Sequence, residues 1–299
     1  LQHDHLDYYG DMEHYFEAKK SLFTPAHSRC GVVCIDDEWG LRLAQESEVP
    51  VTTVSVFSHR EADWTVRRIN FDRAIPAVTF DLVTPQGNER HIRMPMLGEV
   101  NVQNAVVALV AALKLGCEFE AAVSALEGAE QIPGRMTTVN PDPGAQPLVI
   151  VDFAHTPEGL DWTLKSVREL TRGKLVLVFG TDGDRDATKR EPLAEIAAQL
   201  ADVLWVTDEN PRTEDASSIR QQLLNGIRRV RPDFHDVTEV TTCRRDAVRQ
   251  AILAADAGDI VVISGKGAEW YQDIQGIKHV YNDVPVAREV LEQDIRARL

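Results

Sequence analysis

PLVIVDFAHTPEG at 147–159 and KLVLVFGTDGDRDATKR at 174–190 each carry an apolar, largely β-branched run straight into a short polar loop and then into a helical pattern. ADVLWVTDENPRTED at 201–215 and DIVVISGKGAEWYQ at 259–272 repeat the arrangement. Such runs, alternating with helical periodicity, are the signature of a parallel sheet. An open α/β sheet takes its ligands outside the carboxyl ends of its strands. The four loops are therefore expected to gather Asp152, His155, Asp184, Arg185, Lys189, Asn210, Arg212, Lys266 and Glu269 around one crevice rich in anion-binding side chains.

Working outward, strands fit 147–152, 174–179, 202–207 and 259–263, with a late one near 277–281. Helices fit 157–171, 189–200, 215–229, 244–255 and 284–297. This half, 132–299, reads as a Rossmann-like doubly wound domain with helices on both faces. QIPGRM at 131–136 marks its start, because Pro133 and Gly134 break a helix ahead of a new strand. Residues 1–131 read as a separate, mixed domain. A helix fits 11–23, and CGVVCID and VTTVSVF flank a helical EWGLRLAQES as a βαβ unit. WTVRRINFD, AVTFDLVTP and RHIRMPML alternate apolar and polar residues, with PQGN as a hairpin turn, so that piece is antiparallel. Helices at 100–116, closed by Gly116, and over EFEAAVSALEGAE complete it. The fold class is α/β: a mixed sheet with an antiparallel hairpin, then a doubly wound sheet.

The chain has 299 residues, 43% hydrophobic and 26% charged, with a net charge of −15. That acidity, without a Lys/Arg run, excludes a general nucleic-acid or anionic-membrane binder. It leaves room for a few basic loop residues around one small phosphorylated ligand. No apolar stretch reaches the roughly 20 residues of a membrane span. The four cysteines (Cys30, Cys34, Cys117, Cys243) lack metal-site spacing and read as reduced, mostly buried thiols of a cytoplasmic protein.

Taken singly, the loops leave alternatives open. Gly180–Asp186 follows a strand but has neither the GxGxxG spacing nor a closing GK[ST], so it is either a polar-ligand loop or a solvated charge cluster. In Asp152–Pro157, Thr156 and Pro157 are helix-start chemistry, which leaves Asp152 and His155 unexplained by capping. Glu209–Arg212 is a turn whose arginine suits a carboxylate. Gly265-Lys266-Gly267 allows an anion to approach the backbone closely. His5 and Lys19 are ordinary surface residues unless they act together, and capping explains at most one of Asn101 and Asn104.

Read in order, DHLDYYGDMEHYFEAKKSLF, NVQNAVVAL, IPGRM, VDFAHTPEGL, FGTDGDRDATKR, TDENPR and GKGAE resemble the Mur ligases over essentially the whole chain. Within that family they look most like the branch that completes the UDP-N-acetylmuramoyl tripeptide. The resemblance implies the later part of a central ATPase domain in 1–131 and a C-terminal domain in 132–299. It also implies that a UDP-sugar domain and a P-loop precede these residues, and that this piece alone does not turn over ATP. The implied reaction is ATP-dependent amide formation through an acyl phosphate, in peptidoglycan precursor synthesis and hence in cell shape and division. The implied acceptor is UDP-N-acetylmuramoyl-L-alanyl-D-glutamate, and the implied co-substrate is a diamino acid. Monomeric, cytoplasmic protein is expected.

Carried over residue by residue, Lys19 matches a lysine that becomes carbamoylated and, with His5, holds Mg2+. Asn101 and Asn104 match the adenine side of ATP. Arg135, Asp152 and His155 match the ribose and phosphate side. Arg185, Asn210, Arg212, Gly265 and Glu269 match the positions that hold the incoming amino acid. A diaminopimelate side chain ends in an amine and a carboxylate, so Arg212 opposite the carboxylate and Glu269 opposite the ammonium favour meso-diaminopimelate. The family's usual DNPR is ENPR here, and GKGHE is GKGAE. L-lysine or ornithine is the alternative substrate, and a nucleotide-binding module that has lost catalysis is the alternative class.

Overall fold

The computed structural model describes residues 1, 6–72, 77–140 and 144–298. The chain folds as two compact units, Leu1–Glu130 and Gln131–Leu299.

In the first unit α1 (Leu6–Tyr9) precedes α2 (Met12–Lys20), whose first turn is capped by the Asp11 side chain accepting from the His14 amide. The helix expected over 11–23 tightens into a 3-10 turn at Ser21–Phe23. One five-stranded sheet follows, in the order β1 (Gly31–Cys34), β2 (Val51–Ser55), β3 (Trp64–Asp72), β4 (Ala77–Val83), β5 (Glu89–Met94). Strands β1 to β3 run parallel, with α3 (Glu38–Glu46) crossing between β1 and β2, and β3 to β5 run antiparallel. Thr84 and Asn88 close the β4–β5 hairpin around Gly87, which adopts the positive φ of +80° that the turn needs. Alternation along the strands turns Val66, Phe80, Leu82, Ile92 and Met94 inward, onto Val102, Val106 and Val110 of α4 (Glu99–Lys114). Helix α5 (Phe119–Glu127) ends the unit.

The second unit is a six-stranded sheet, comprising β6 (Thr137–Thr138), β7 (Leu148–Asp152), β8 (Leu175–Phe179), β9 (Val203–Val206), β10 (Val237–Glu239) and β11 (Ile260–Ser264). The spatial order is β10-β9-β8-β11-β7-β6, parallel except for β6. Its connecting helices are α6 (Pro157–Arg168), α7 (Arg190–Leu200), α8 (Ala216–Val230), α9 (Arg244–Ala254) and α10 (Asp283–Arg298). Val149, Val151, Val176, Val178, Val261 and Ile263 pack on α9 and α10, while Ile150, Leu177 and Val262 are buried on the alternate face. Both faces are covered, and this explains why the strands read as unbroken apolar runs.

Two features depart from the sequence reading. The late strand does not join the main sheet: β12 (Tyr271–Ile274) and β13 (Ile277–Val280) form a separate antiparallel ribbon. Its backbone makes the bonds, so β13 needs no apolar face and all four of its residues are exposed. The expectation of mostly buried thiols also fails, since Cys30, Cys117 and Cys243 are exposed. They lie at element ends rather than within the apolar runs.

Candidate active site

The loops at the carboxyl ends of β8, β9 and β11 knit into one cluster. Gly183 donates from its amide to the Asn210 carbonyl (2.8 Å), and a Cβ on Gly183 would stand 1.9 Å from the Pro211 oxygen, so only glycine lets these loops touch. The ribbon locks the second loop. Arg212 donates from its amide to Asp273 (3.0 Å) and accepts from the Gln275 amide (2.6 Å), and so is held at a positive φ of 53°. The residual strain at a non-glycine residue is offset by these two bonds and aims the guanidinium back at the first loop.

There Arg212 pairs with Asp182 at 3.0 Å. Asn210 donates to Asp182 (2.9 Å) and to Glu269 (3.0 Å). Lys266, fully buried, donates to the Asn210 side-chain oxygen (2.8 Å) and to Glu269 (2.7 Å). One carboxylate–guanidinium pair and one ammonium–carboxylate pair are thus joined through a single amide. Of the seven buried side-chain polar atoms without a hydrogen-bond partner among the described residues, six belong to this neighbourhood: Thr181, Arg190, Thr207, Glu209, Arg212 and Asp273. Native interiors rarely leave such atoms unpaired, so their concentration marks a site made for a polar ligand.

Glu209 is the most perturbed of them. Its carboxyl is buried, and burial first, then the Asp182 charge, push its pKa up to about 8. Behind it Arg244 makes a buried two-pronged pair with Asp283, at 2.9 Å for each contact, and Tyr281 donates to the same carboxylate at 2.8 Å. Arg190, also buried, braces the first loop through Glu214 and the Asp182 carbonyl.

A second cluster surrounds the end of β7. The Arg135 guanidinium lies over the Phe153 ring (4.4 Å), and the His155 ring meets the other ring edge-on at 4.8 Å. His155 Nδ1 donates to the Phe153 carbonyl at 2.9 Å, which fixes the hydrogen on that nitrogen because a carbonyl can only accept. Asp152 plays an internal part. Its carboxylate accepts from the Met136 amide (2.8 Å), the Ala154 amide (3.0 Å) and the Thr163 hydroxyl (2.9 Å), and so pins the IPGRM segment beside Phe153. The two clusters meet through the β11 loop. The Gly265 amide donates to the Asp152 carbonyl, and Gly134 packs so closely on Gly267 and Ala268 that a Cβ there would stand 2.0 Å from the Ala268 nitrogen.

The expected residues therefore separate. Asn210, Arg212, Gly265 and Glu269 converge, and Arg135, Asp152 and His155 converge. Arg185 is exposed, without a hydrogen-bond partner among the described residues. Asp184 turns away from the crevice and caps Thr213. In the first unit Lys19 is exposed, with its ammonium 5.4 Å from the Tyr15 ring centroid. His5 lies outside the described residues. Neither asparagine caps α4, since Gly98 is its N-cap. Asn101 is buried and donates to the Leu97 carbonyl (2.6 Å), while Asn104 is exposed. Among the described residues no three His, Cys, Asp or Glu side chains converge as a metal site. As an ammonium, Lys19 repels a divalent ion; only conversion to a carbamate would give it oxygen ligands.

Asp182 and Glu209 were the residues that sequence reading passed over. Asp182 was hidden among four charged or small polar neighbours, and Glu209 counted only as part of a turn.

Residues 1–112 match the Mur ligase middle domain, and residues 134–267 match the Mur ligase glutamate ligase domain. The chain belongs to the Mur ligase family. Over 297 residues it is 41% identical to a UDP-N-acetylmuramyl-tripeptide synthetase of Leifsonia xyli subsp. xyli, covering 98% of this chain and 57% of that protein. Over 293 residues it is 37% identical to a UDP-N-acetylmuramoyl-L-alanyl-D-glutamate–2,6-diaminopimelate ligase of Streptomyces coelicolor, with the same coverage. A solved diaminopimelate ligase of that name is 34% identical, with a TM-score of 0.62 over 99% of this chain and 59% of the other. The UDP-N-acetylmuramate–alanine ligase of Thermotoga maritima shares the fold, with a TM-score of 0.69 at 18% identity over 99% of this chain and 58% of the other. This Mur ligase chain spans 57% of the length of those two curated relatives. None of its described helices is long and apolar enough to cross a membrane.

Proposed function

We propose that this chain supplies the amino-acid pocket and part of the nucleotide site of an ATP-dependent ligase. The ligase joins meso-diaminopimelate to UDP-N-acetylmuramoyl-L-alanyl-D-glutamate in the cytoplasm. In such a reaction the terminal phosphoryl group of ATP passes to the acceptor's carboxylate. The amine of the incoming amino acid then attacks the acyl carbon, and inorganic phosphate leaves. Mg2+, when bound, would neutralise phosphoryl charge. The unmodified described side chains do not compose its site, and a carbamate on Lys19 would supply oxygen ligands; the roles assigned to the other residues are binding and orientation.

The observation that carries the reading is the joined pair of ion pairs. Asp182 occupies Arg212 as a substrate carboxylate would, and Lys266 occupies Glu269 as a substrate ammonium would. A zwitterionic side-chain end matches that alternation of charge, with Asn210 between. Arg185, exposed and unpaired among the described residues, is free for the second carboxylate of the amino acid. On the nucleotide side, Arg135 and His155 flank Phe153 as phosphate and ribose contacts, and Asp152 holds them in place. Asn101 and Asn104 are the adenine contacts, and Lys19, once carbamoylated, with His5 is the metal pair.

Calorimetric binding of meso-diaminopimelate and L-lysine to the protein and to Arg212→Ala tests this. The expected result is tighter diaminopimelate binding by the wild type, lost by about 10- to 100-fold in the variant, on the scale of a charge-assisted bidentate contact. Lysine binding should be unaffected. Tighter lysine binding by the wild type would overturn the choice of substrate.

A further inference from the structure

Glu209 is 3% exposed, and its Oε2 has no hydrogen-bond partner among the described residues. Its carboxyl occupies the space a side chain at 265 would need: a Cβ on Gly265 would stand 2.4 Å from that oxygen. The acid therefore lies directly against the backbone that carries Lys266. Lys266 has no exposure and uses its ammonium on Asn210 and Glu269. An ammonium has three donors. Gly265 and Gly267, at φ of +113° and +52°, flank this lysine, so its backbone takes a path few other residues tolerate.

The surrounding charges explain why the acid is uncompensated. Asp182, Arg244, Lys266 and Glu269 face it. Arg244 is taken by Asp283, Lys266 by Glu269, and Asp182 by Arg212. Every nearby cation already has its anion, and an ionised Glu209 would be buried without a partner. A ligand ammonium arriving at Glu269 changes this balance, because two buried ammonium groups then compete for one carboxylate.

We infer that Glu209 is a positioning residue of the amino-acid pocket: it receives the Lys266 ammonium when the ammonium of the incoming diamino acid takes that place at Glu269, and it gives a proton to solvent as it does so. The inference rests on the amino-acid reading of the pocket. Charge balances across the exchange. The ligand brings one cation, Lys266 moves from Glu269 to Glu209, and the carboxyl O–H bond breaks to leave the carboxylate that Lys266 pairs with. Specificity follows, since a ligand without a distal ammonium leaves Lys266 on Glu269 and Glu209 protonated.

Titration calorimetry of meso-diaminopimelate and L-lysine at pH 7, in two buffers of different ionisation enthalpy, counts the protons released. The wild type should release about one proton per ligand bound, and its affinity should rise about tenfold per pH unit and level off above pH 8. Glu209→Gln should bind with no proton release and a flat pH profile, and Glu209→Asp should restore release. Lys266→Met should bind at Glu269 but also lose release. Binding by the wild type without proton release, or undiminished release by Glu209→Gln, overturns the relay alone. If neither amino acid binds the wild type, the amino-acid reading of the pocket fails and the relay falls with it.

Discussion

Asp36 and Glu209 are both acids just beyond the ends of parallel strands, one in each unit, and they titrate in opposite directions. Burial pushes up the pKa of each. Around Asp36, seven donors overcome that effect: the Ser55 and Ser58 hydroxyls, the Val56, Phe57 and Ser58 amides, the Gln103 amide and the Cys34 thiol. Its pKa falls to about 2. Burial and the neighbouring carboxylate push the Cys34 thiol up to about 12, so it stays a donor. Glu209 meets charges but no donor, and stays high. Depth and donors together decide the protonation of a buried acid: Asp36 is half-buried among seven donors, and Glu209 is fully buried with none. Asp36 is a finished structural joint that ties α4 to the end of β1 through Gln103. Glu209 is unfinished, as a group in a binding site is.

The contrast can be broken in several places. The largest effect is expected from pH acting on the second unit. The folded pKa of Glu209 is raised, so its stabilising effect is full below the ordinary glutamate value and lost as pH rises towards about 8. That loss is on the order of 5 kcal/mol. Thermal melts from pH 5 to 9 should show it in the wild type, and Glu209→Gln should flatten the profile. Next, Asp36→Ala strands seven donors and should cost the first unit about 3 kcal/mol in denaturant unfolding. A smaller effect comes from acid. The pKa of Asp36 is depressed, so its contribution is present above about pH 4 and should disappear, by about 2 kcal/mol, as pH falls to about 2. Asp36→Asn should remove that acid transition. The smallest is a control: Lys165→Ala breaks an exposed pair with Asp161 and should change stability by less than about 0.5 kcal/mol.

Much of the architecture was legible because burial on both faces writes itself as unbroken apolar runs. The strands at 147–152, 174–179 and 259–263 fall within a residue of β7, β8 and β11, and Thr156 and Pro157 start α6 as their side-chain chemistry predicts. Strand β10 was not foreseen, because an edge strand of two half-buried residues and one exposed residue carries no periodic signal. The β12–β13 ribbon escaped for a related reason: backbone bonds define it, and its outward face is free of hydrophobic demand. In the site, Asn210, Arg212 and Glu269 stood out as charged or amide side chains at strand ends. Of their partners Lys266 stood out as well and Asp182 did not, and neither pairing was legible, since Asp182 with Arg212 and Lys266 with Asn210 are joined across 30 and 56 residues of chain.

The sequence by itself determined which residues end the parallel strands β7, β8, β9 and β11 and which of them carry charge, since local pattern and turn chemistry act within a few residues. It also carried the family, through motifs spread over the whole chain. Only the tertiary structure decided that Asp152 is spent on the backbone of Met136, that Arg185 stays exposed while Lys266 is buried, and that Glu209 sits deep with no donor. Those outcomes depend on desolvation and on partners brought from distant loops. A buried acid's state is fixed by what surrounds it in space, and no local stretch of sequence holds that information.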